Sequence, residues 1–346
     1  MKPQIGVLLI QLGTPLSATV QYVRRYLSEF LNDPRVIDIP YLLRKFLVNI
    51  IIVPFRAPKS TKIYQQMWRD KSLPGGRQGS PLLIYSESVR DKLQEKLGDN
   101  FKVELSMRYQ SPSMDSVLER MQKDNYQKII ILPLFPQYAS ASTGSAIDKV
   151  LKIISRWWVI PELSVINQFY NDEEYLNVFT EIGKKYNIYD YDHVLFSYHG
   201  LPERQVDKVH NDGKPCSAHN CENEINEENK FCYKAASYAT TRLLAGKLNI
   251  PKEKYTVCFQ SRLDEKWLKP FTDKIIIELA KKGAKRLLVF SPAFVADCLE
   301  TIVEIGTEYQ HLFVQNGGEK VQLVESLNDH PMWIDALKNL ILKHTD

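Results

Sequence analysis

The chain has 346 residues, 44% of them hydrophobic, with 45 basic against 41 acidic side chains and a formal net charge of +4. That length predicts about two domains, each able to bury a sizeable core, and the nearly even charge excludes a dedicated nucleic-acid binder with a concentrated basic face. The 5 cysteines are odd in number and lack the spacing of a secreted disulfide framework. No apolar run approaches the roughly 20 residues of a membrane span.

In chain order, the first apolar, β-branched run is Ile5–Ile10. Gln11 and Gly13 interrupt it, no signal-peptide core or cleavage site follows, and a cytoplasmic protein is expected. The run closes on Leu12-Gly13-Thr14-Pro15. A single glycine before a helix is no phosphate cradle, so a tight turn is the better reading and no nucleotide is expected. Helix periodicity follows over Thr19–Leu31 and Tyr41–Val53, a Gly-rich polar loop over Lys71–Gly79, and helices over Leu83–Lys96 and Ser113–Asp124. Strands are predicted at Val103–Met107 and Lys128–Leu132, with a weaker one at Leu163–Ile166. Further on come a helix at Glu173–Tyr186, a strand at Val194–Ser197, a helix at Tyr233–Leu248 and a strand at Tyr255–Phe259. The series ends with a helix at Phe271–Lys282, a strand at Arg286–Phe290, a helix at Leu299–His311, a weak strand at Val321–Val324 and a helix at Pro331–Lys343.

Runs apolar on both faces suit parallel strands covered by helices. Their alternation with helices predicts an α/β fold of two Rossmann-like lobes, each a parallel sheet flanked by helices. The expected domains are 1–164 and 165–324, with the C-terminal helix in 325–346 packing back on the first.

Two segments roughly a hundred residues apart carry the chemistry. Val194–Ser197 runs into Tyr198-His199-Gly200-Leu201-Pro202, and Arg286–Phe290 runs into a stretch bearing Asp297, Glu300 and Glu304. Ligands of open parallel sheets bind beyond the carboxyl ends of strands, so His199 would face the three acids across one cleft. On an α-helix, positions 297, 300, 304 and 308 share one face; unpaired, they repel, and the alternative is a solvated acidic face near a helix N-terminus. Histidine is the commonest ligand and base near neutral pH. Cys298, inside this stretch, is read as a small buried hydrophobe.

Val206–Lys230 is polar and too long for an ordinary α/β loop. Cys216-x4-Cys221-x10-Cys232 suggests a metal or iron–sulfur set, against free thiols in a mobile loop. Cys258, at a strand end, is the candidate fourth ligand, with His210 and His219 as rivals. Tyr41–Phe55 is strongly apolar with Arg44 and Lys45 on its flank. It suits a membrane surface or the rim of a greasy pocket as well as an ordinary core helix.

Several motifs together resemble the ferrochelatases, which insert ferrous iron into a porphyrin. They include Leu12-Gly13-Thr14-Pro15, Arg25-Tyr26-Leu27, Asp33-Pro34-Arg35-Val36-Ile37, Gly79-Ser80-Pro81-Leu82, Met107-Arg108-Tyr109 and Leu132-Pro133-Leu134-Phe135-Pro136-Gln137-Tyr138. The second half adds Ser197-Tyr198-His199-Gly200-Leu201-Pro202, Phe259-Gln260-Ser261-Arg262, Trp267-Leu268 and the Asp297–Glu304 stretch. The resemblance implies a chelatase-like fold with the porphyrin between two lobes, and a lyase of haem biosynthesis. It implies His199 and Glu300 as the Fe2+ site, with the iron as substrate, Glu304 and Glu308 as an acidic path, and Asp297 beside it. Leu12, Arg108, Tyr109, Tyr138 and Trp267 are the implied porphyrin-binding residues.

This sequence departs from the family pattern at Gln11, commonly Asn, and at Cys298, where animal enzymes carry a histidine. Its Cys-bearing loop is longer than in simple bacterial members, and because some members hold a [2Fe–2S] cluster, Cys216, Cys221, Cys232 and Cys258 are its candidate ligands. Protoporphyrin IX is favoured over coproporphyrin III by the apolar Tyr41–Phe55 stretch, which also suggests peripheral membrane contact. The rival readings are a cobalt or nickel chelatase of an early tetrapyrrole and a non-catalytic haem- or metal-binding sensor.

Overall fold

The computed structural model describes residues 4–68 and 73–345. Lys71 and Ser72 of the expected loop Lys71–Gly79, and the terminal Asp346, lie outside the described residues; Pro74–Gly76 of that loop forms a short 3-10 turn.

The chain divides into two compact units. One comprises Met1–Phe135, Ser140–Gln168 and Pro331–Asp346; the other comprises Pro136–Ala139 and Phe169–His330. The first unit runs β1 (Ile5–Gly13), α1 (Val20–Leu31), α2 (Tyr41–Phe46), a π-helical stretch Leu47–Ile52, α3 (Val53–Met67), α4 (Pro81–Leu97), β2 (Phe101–Tyr109), α5 (Met114–Asp124), β3 (Lys128–Pro133), α6 (Ser145–Ile154) and β4 (Glu162–Val165). The second runs α7 (Glu173–Gly183), β5 (His193–His199), α8 (Glu203–Asp207), α9 (Tyr233–Lys247), β6 (Tyr255–Gln260), α10 (Thr272–Lys281), β7 (Arg286–Phe290), a π-helix Glu300–Tyr309, α11 (Gln310–Gln315) and β8 (Lys320–Leu323). The last helix, α12 (Pro331–Leu342), belongs to the first unit, where Asp335 pairs with Lys96 of α4 at 2.7 Å.

Each unit holds a four-stranded sheet, in the order β2-β1-β3-β4 and β6-β5-β7-β8, with every pair parallel. The two orders are the same pattern. In both, the chain leaves the central strand to one side, then returns to its other side, which creates a switch point where a crevice opens beyond the carboxyl ends. Val7, Leu8, Leu9 and Ile10 of β1 and Val194, Leu195 and Phe196 of β5 are fully buried, because helices cover both faces of a parallel sheet. The rings of Phe196 and Phe290 stack with centroids 5.1 Å apart and lock β5 to β7.

Strand β1 ends on a glycine, and β5 is followed by one, that the neighbouring backbone requires. At Gly13, φ is +116° and a Cβ would lie 2.1 Å from the Tyr109 carbonyl oxygen; at Gly200 it would lie 2.8 Å from that of Gln260. Only glycine permits this approach.

Helical structure continues from the expected Tyr41–Val53 through α3 to Met67, and α6 is a helix where the sequence reading placed none. Pro54 sits in the first turn of α3, directly after the π-helical stretch, and Pro58 lies inside the helix. Along the Tyr41–Phe55 stretch, Tyr41, Leu42, Leu43, Phe46, Ile50 and Phe55 are exposed. Among the described residues no helix is long and apolar enough to cross a membrane.

Candidate active site and a cysteine–histidine group

The switch point of the second unit lies between β5 and β7, and the sequence puts its ionisable residues there. His199 is the last residue of β5. Its Nδ1 lies 2.6 Å from the Gly200 carbonyl oxygen. A carbonyl only accepts, so Nδ1 carries a proton and the neutral form of the ring has its lone pair at Nε2. The turn is held from β6, since Gly200 N donates to Gln260 O at 2.7 Å. Trp267 packs beside it, 3.3 Å from where a Gly200 Cβ would stand, and bridges Pro202.

After β7 the chain reaches Glu300 through a loop, and there the α-helical expectation fails in an informative way. Glu300–Tyr309 is π-helical, so residues four and five apart share a face. Glu300, Glu304 and Tyr309 fall together, and Tyr309 OH donates to Glu304 Oε1 at 2.9 Å. Glu308 is exposed. Asp297 precedes the helix and is taken up by the loop: it accepts from Asn328 Nδ2 at 2.7 Å, Ser326 N at 3.2 Å and Thr301 Oγ1 at 3.2 Å. Its carboxylate organises the approach to the helix.

Glu304 is the best-held carboxylate of the group. Oε1 accepts from Ser261 N at 2.8 Å and from Tyr309, and Oε2 accepts from the Ser261 hydroxyl. Burial raises its pKa above the ordinary carboxylate value, and the nearby Glu300 charge pushes the same way; the Ser261 bonds and His199 oppose without cancelling it. His199 and Glu300 therefore both lie within electrostatic reach of Glu304. Cys298 is buried, and desolvation and then Glu300 push its thiol pKa well above the usual range.

Ser261, Gln260 and Tyr309 went unassigned in the reading by residue type. Gln260 accepts from Ser197 Oγ at 2.6 Å and donates to the Glu300 carbonyl at 3.2 Å. Ser261 holds φ +59°, a sparsely populated conformation for a non-glycine residue. No charge or metal-ligand pattern marks them; the Phe259-Gln260-Ser261-Arg262 motif was the available signal.

The implied porphyrin-binding residues are dispersed. Trp267 and Tyr138 are half-buried in the second unit, Tyr138 edge-on to Phe231 at 5.7 Å. In the first unit Leu12 is half-buried at the end of β1. Arg108 pairs with Asp33 and donates from Nε to Ser145 Oγ at 2.7 Å, while fully buried Tyr109 donates to Asp33 at 2.9 Å. Asp33 thus gathers Arg108, Tyr109 and Ser145 at the carboxyl end of the first sheet.

The polar loop after α8 forms a second group. His210, Cys216, Cys221 and Cys232 are all buried, and one donor atom from each lies within 4.8 Å of every other. Cys258, expected as a fourth ligand, is elsewhere. It faces the core from the middle of β6, among Leu195, Ile276 and Val289, with its thiol 3.8 Å from the Phe196 carbonyl. His210 takes the place foreseen for Cys258. His219 stacks on His210 with ring centroids 3.9 Å apart and lies 3.1 Å from Asp212.

The ferrochelatase family matches residues 4–345. A ferrochelatase of Coxiella burnetii strain Dugway is 44% identical over 98% of this chain and 94% of its own length, and one of Legionella pneumophila strain Lens is 44% identical over 97% and 98%. Among solved structures, the sirohydrochlorin chelatase SirB of Bacillus subtilis subspecies spizizenii in complex with cobalt matches with a TM-score of 0.53 at 14% identity, covering 99% of this chain and 95% of that one. That likeness speaks to the fold alone. Identity sustained end to end is a stronger criterion, and by it the chain belongs to the ferrochelatase family.

Proposed function

We propose that this chain inserts Fe2+ into protoporphyrin IX in haem biosynthesis, exchanging the two pyrrole N–H protons for the metal. The observation that carries the reading is the pairing of His199, whose neutral ring has its lone pair at Nε2, with Glu304, a carboxylate whose burial makes it hold protons more readily than usual.

Insertion requires a divalent ion to shed water and two N–H bonds to break. His199 and Glu300 hold the incoming iron, a neutral imidazole and a carboxylate being suitable donors to Fe2+. Glu304 accepts the departing protons one at a time, releasing the first to water before it takes the second, and a general base works best when its pKa is drawn toward the operating pH. Its partners Ser261 and Tyr309 fix the carboxylate against the π-helix, so proton uptake needs no rearrangement. Asp297 acts through the loop that presents Glu300 and Glu304. Trp267, packed on the His199–Gly200 turn, offers an aromatic surface to the macrocycle, and Leu12, Arg108, Tyr109 and Tyr138 are its further porphyrin-binding residues by family resemblance.

The exposed apolar side chains of Tyr41–Phe55 favour an apolar partner. They support protoporphyrin IX over the more carboxylated coproporphyrin III, and peripheral attachment of a cytoplasmic protein to a lipid surface. Parallel insertion assays with both porphyrins test the first point. Flotation with phospholipid vesicles, before and after Leu42→Ser and Phe55→Ser, tests the second; equal flotation of all forms overturns it.

A further inference from the structure

The group formed by His210, Cys216, Cys221 and Cys232 has no part in iron insertion as proposed above, and its own geometry identifies a ligand. We propose that these four residues bind one zinc ion in tetrahedral Cys3His coordination and that the ion orders the loop between α8 and α9.

Donor type and number come first. Three cysteines and one histidine form a standard closed donor set for structural zinc. All four are buried and the cysteines are free. Cys216 and Cys232 bring their sulfurs to 3.5 Å, and Cys221 Sγ lies 4.0 Å from His210 Nε2. With Zn–S near 2.3 Å and Zn–N near 2.0–2.1 Å, a tetrahedral ion sets its donors about 3.6–3.8 Å apart. A spread of no more than 4.8 Å over all four donors is therefore the dimension of a single ion.

A [2Fe–2S] cluster asks for something else. Its ligands bind two irons separated by bridging sulfides, so donors on opposite irons stand roughly 5 Å or more apart. Two of the four donors would have to move away from the other two. Cys258, the fourth cysteine that might have completed such a set, is fixed in the β6 core. The compact Cys3His arrangement disagrees with a two-iron cluster and agrees with one ion.

A second observation points the same way. His210 is 4% exposed, and its Nε2 faces the Cys221 sulfur at 4.0 Å, a weak partner for a buried imidazole nitrogen that a metal ion would replace with a full bond. The surroundings are those of a braced metal site. Asn229, itself buried, directs Nδ2 at Cys221 Sγ from 3.7 Å and is anchored to the Glu224 carbonyl at 3.1 Å. Cys216 N donates to Asp207 at 2.7 Å, and Cys232 N to the Asn229 carbonyl at 2.8 Å. Between α8 and α9 the loop has one 3-10 turn, Cys216–Ala218, and few apolar side chains. A loop of this kind gains order from metal binding.

The test is the metal content of the intact protein, purified without chelator from medium containing both iron and zinc. The proposal expects about one zinc per chain, no acid-labile sulfide, and, after exchange with Co2+, the intense visible bands of tetrahedral thiolate coordination. His210→Ala and Cys221→Ser should each lower zinc at least tenfold, His210→Cys should retain it, and Cys258→Ser should leave it unchanged. His199→Ala should also keep its zinc, which separates this site from the iron-insertion site and leaves the result independent of whether the chain inserts iron. Two irons and two sulfides per chain would overturn the proposal. So would metal-free protein with three titratable thiols in this loop, or a Cys216–Cys232 disulfide.

Discussion

Ser261 clasps Glu304 twice, once through its backbone N–H at 2.8 Å and once through its hydroxyl, while its own backbone sits at φ +59°. Both bonds favour the ionised carboxylate. Ser261→Ala deletes one of them, so the Glu304 pKa rises further and the acid limb of kcat/KM moves to higher pH. Ser261→Gly relieves the backbone conformation and should raise stability without restoring the limb. A pH profile unchanged in both variants would show that Glu304 is not the group being titrated.

Glu304→Gln keeps the shape and an acceptor for Ser261 N while abolishing proton uptake. It should lower kcat by about 10²–10⁴-fold. The stability effect has the opposite sign. The folded pKa is raised above that of the unfolded chain by burial, so ionisation penalises the folded state as pH rises through it, and no penalty exists below the unfolded value. The variant should therefore melt about 2–4 °C above the parent at pH 7.5, a gain that shrinks as the pH falls towards 4. A lower melting temperature at pH 7.5 contradicts this assignment.

Gly200→Ala places a methyl group 2.8 Å from the Gln260 carbonyl oxygen. Strands β5 and β6 must part at the turn that carries His199, at a cost of about 1–3 kcal/mol. Denaturant unfolding should register that loss, with iron insertion falling in step. A fully stable, fully active Gly200→Ala protein would show that the turn tolerates displacement.

The Arg108–Asp33 pair is buried, with side-chain exposures of 14% and 3%. Burial alone would raise the Asp33 pKa, but the Ser145 hydroxyl, the Arg35 N–H and the Arg108 charge together hold it below its ordinary value. A depressed carboxylate stabilises the fold above its unfolded pKa and loses that contribution as pH falls through the folded one. Asp33→Ala leaves Arg108 buried without its partner and should cost about 3–5 kcal/mol at neutral pH. That difference from the parent should narrow in strong acid; a deficit independent of pH would point to lost packing instead.

Much of this architecture was legible because parallel strands covered on both faces must be apolar throughout. Lys128–Leu132 and Arg286–Phe290 declare themselves for that reason, whereas the strand order that sets each switch point is visible only in the folded chain. His199 was legible as an ionisable residue just past a strand. The π-helix was not, since Glu300–Tyr309 contains no residue type that selects i→i+5 bonding over i→i+4; its effect was to keep Glu304 with Tyr309 and release Glu308. Asp297 carries the same charge as Glu300, and only the three-dimensional path of the loop separates an organising carboxylate from a reactive one. Cys258 was the expected fourth member of the cysteine set, with His210 and His219 as rivals; its side chain faces the core from β6, and His210 is the one that lies with the three loop cysteines.

The central claim is most directly tested by anaerobic Fe2+ insertion into protoporphyrin IX, followed through the absorption of the product, with the parent protein and His199→Ala side by side. The account predicts steady turnover for the parent. It also predicts at least a hundredfold loss for the variant, with porphyrin affinity, read by fluorescence quenching, little changed. A folded parent that binds the porphyrin without metallating it, or a His199→Ala protein that turns over normally, would contradict it.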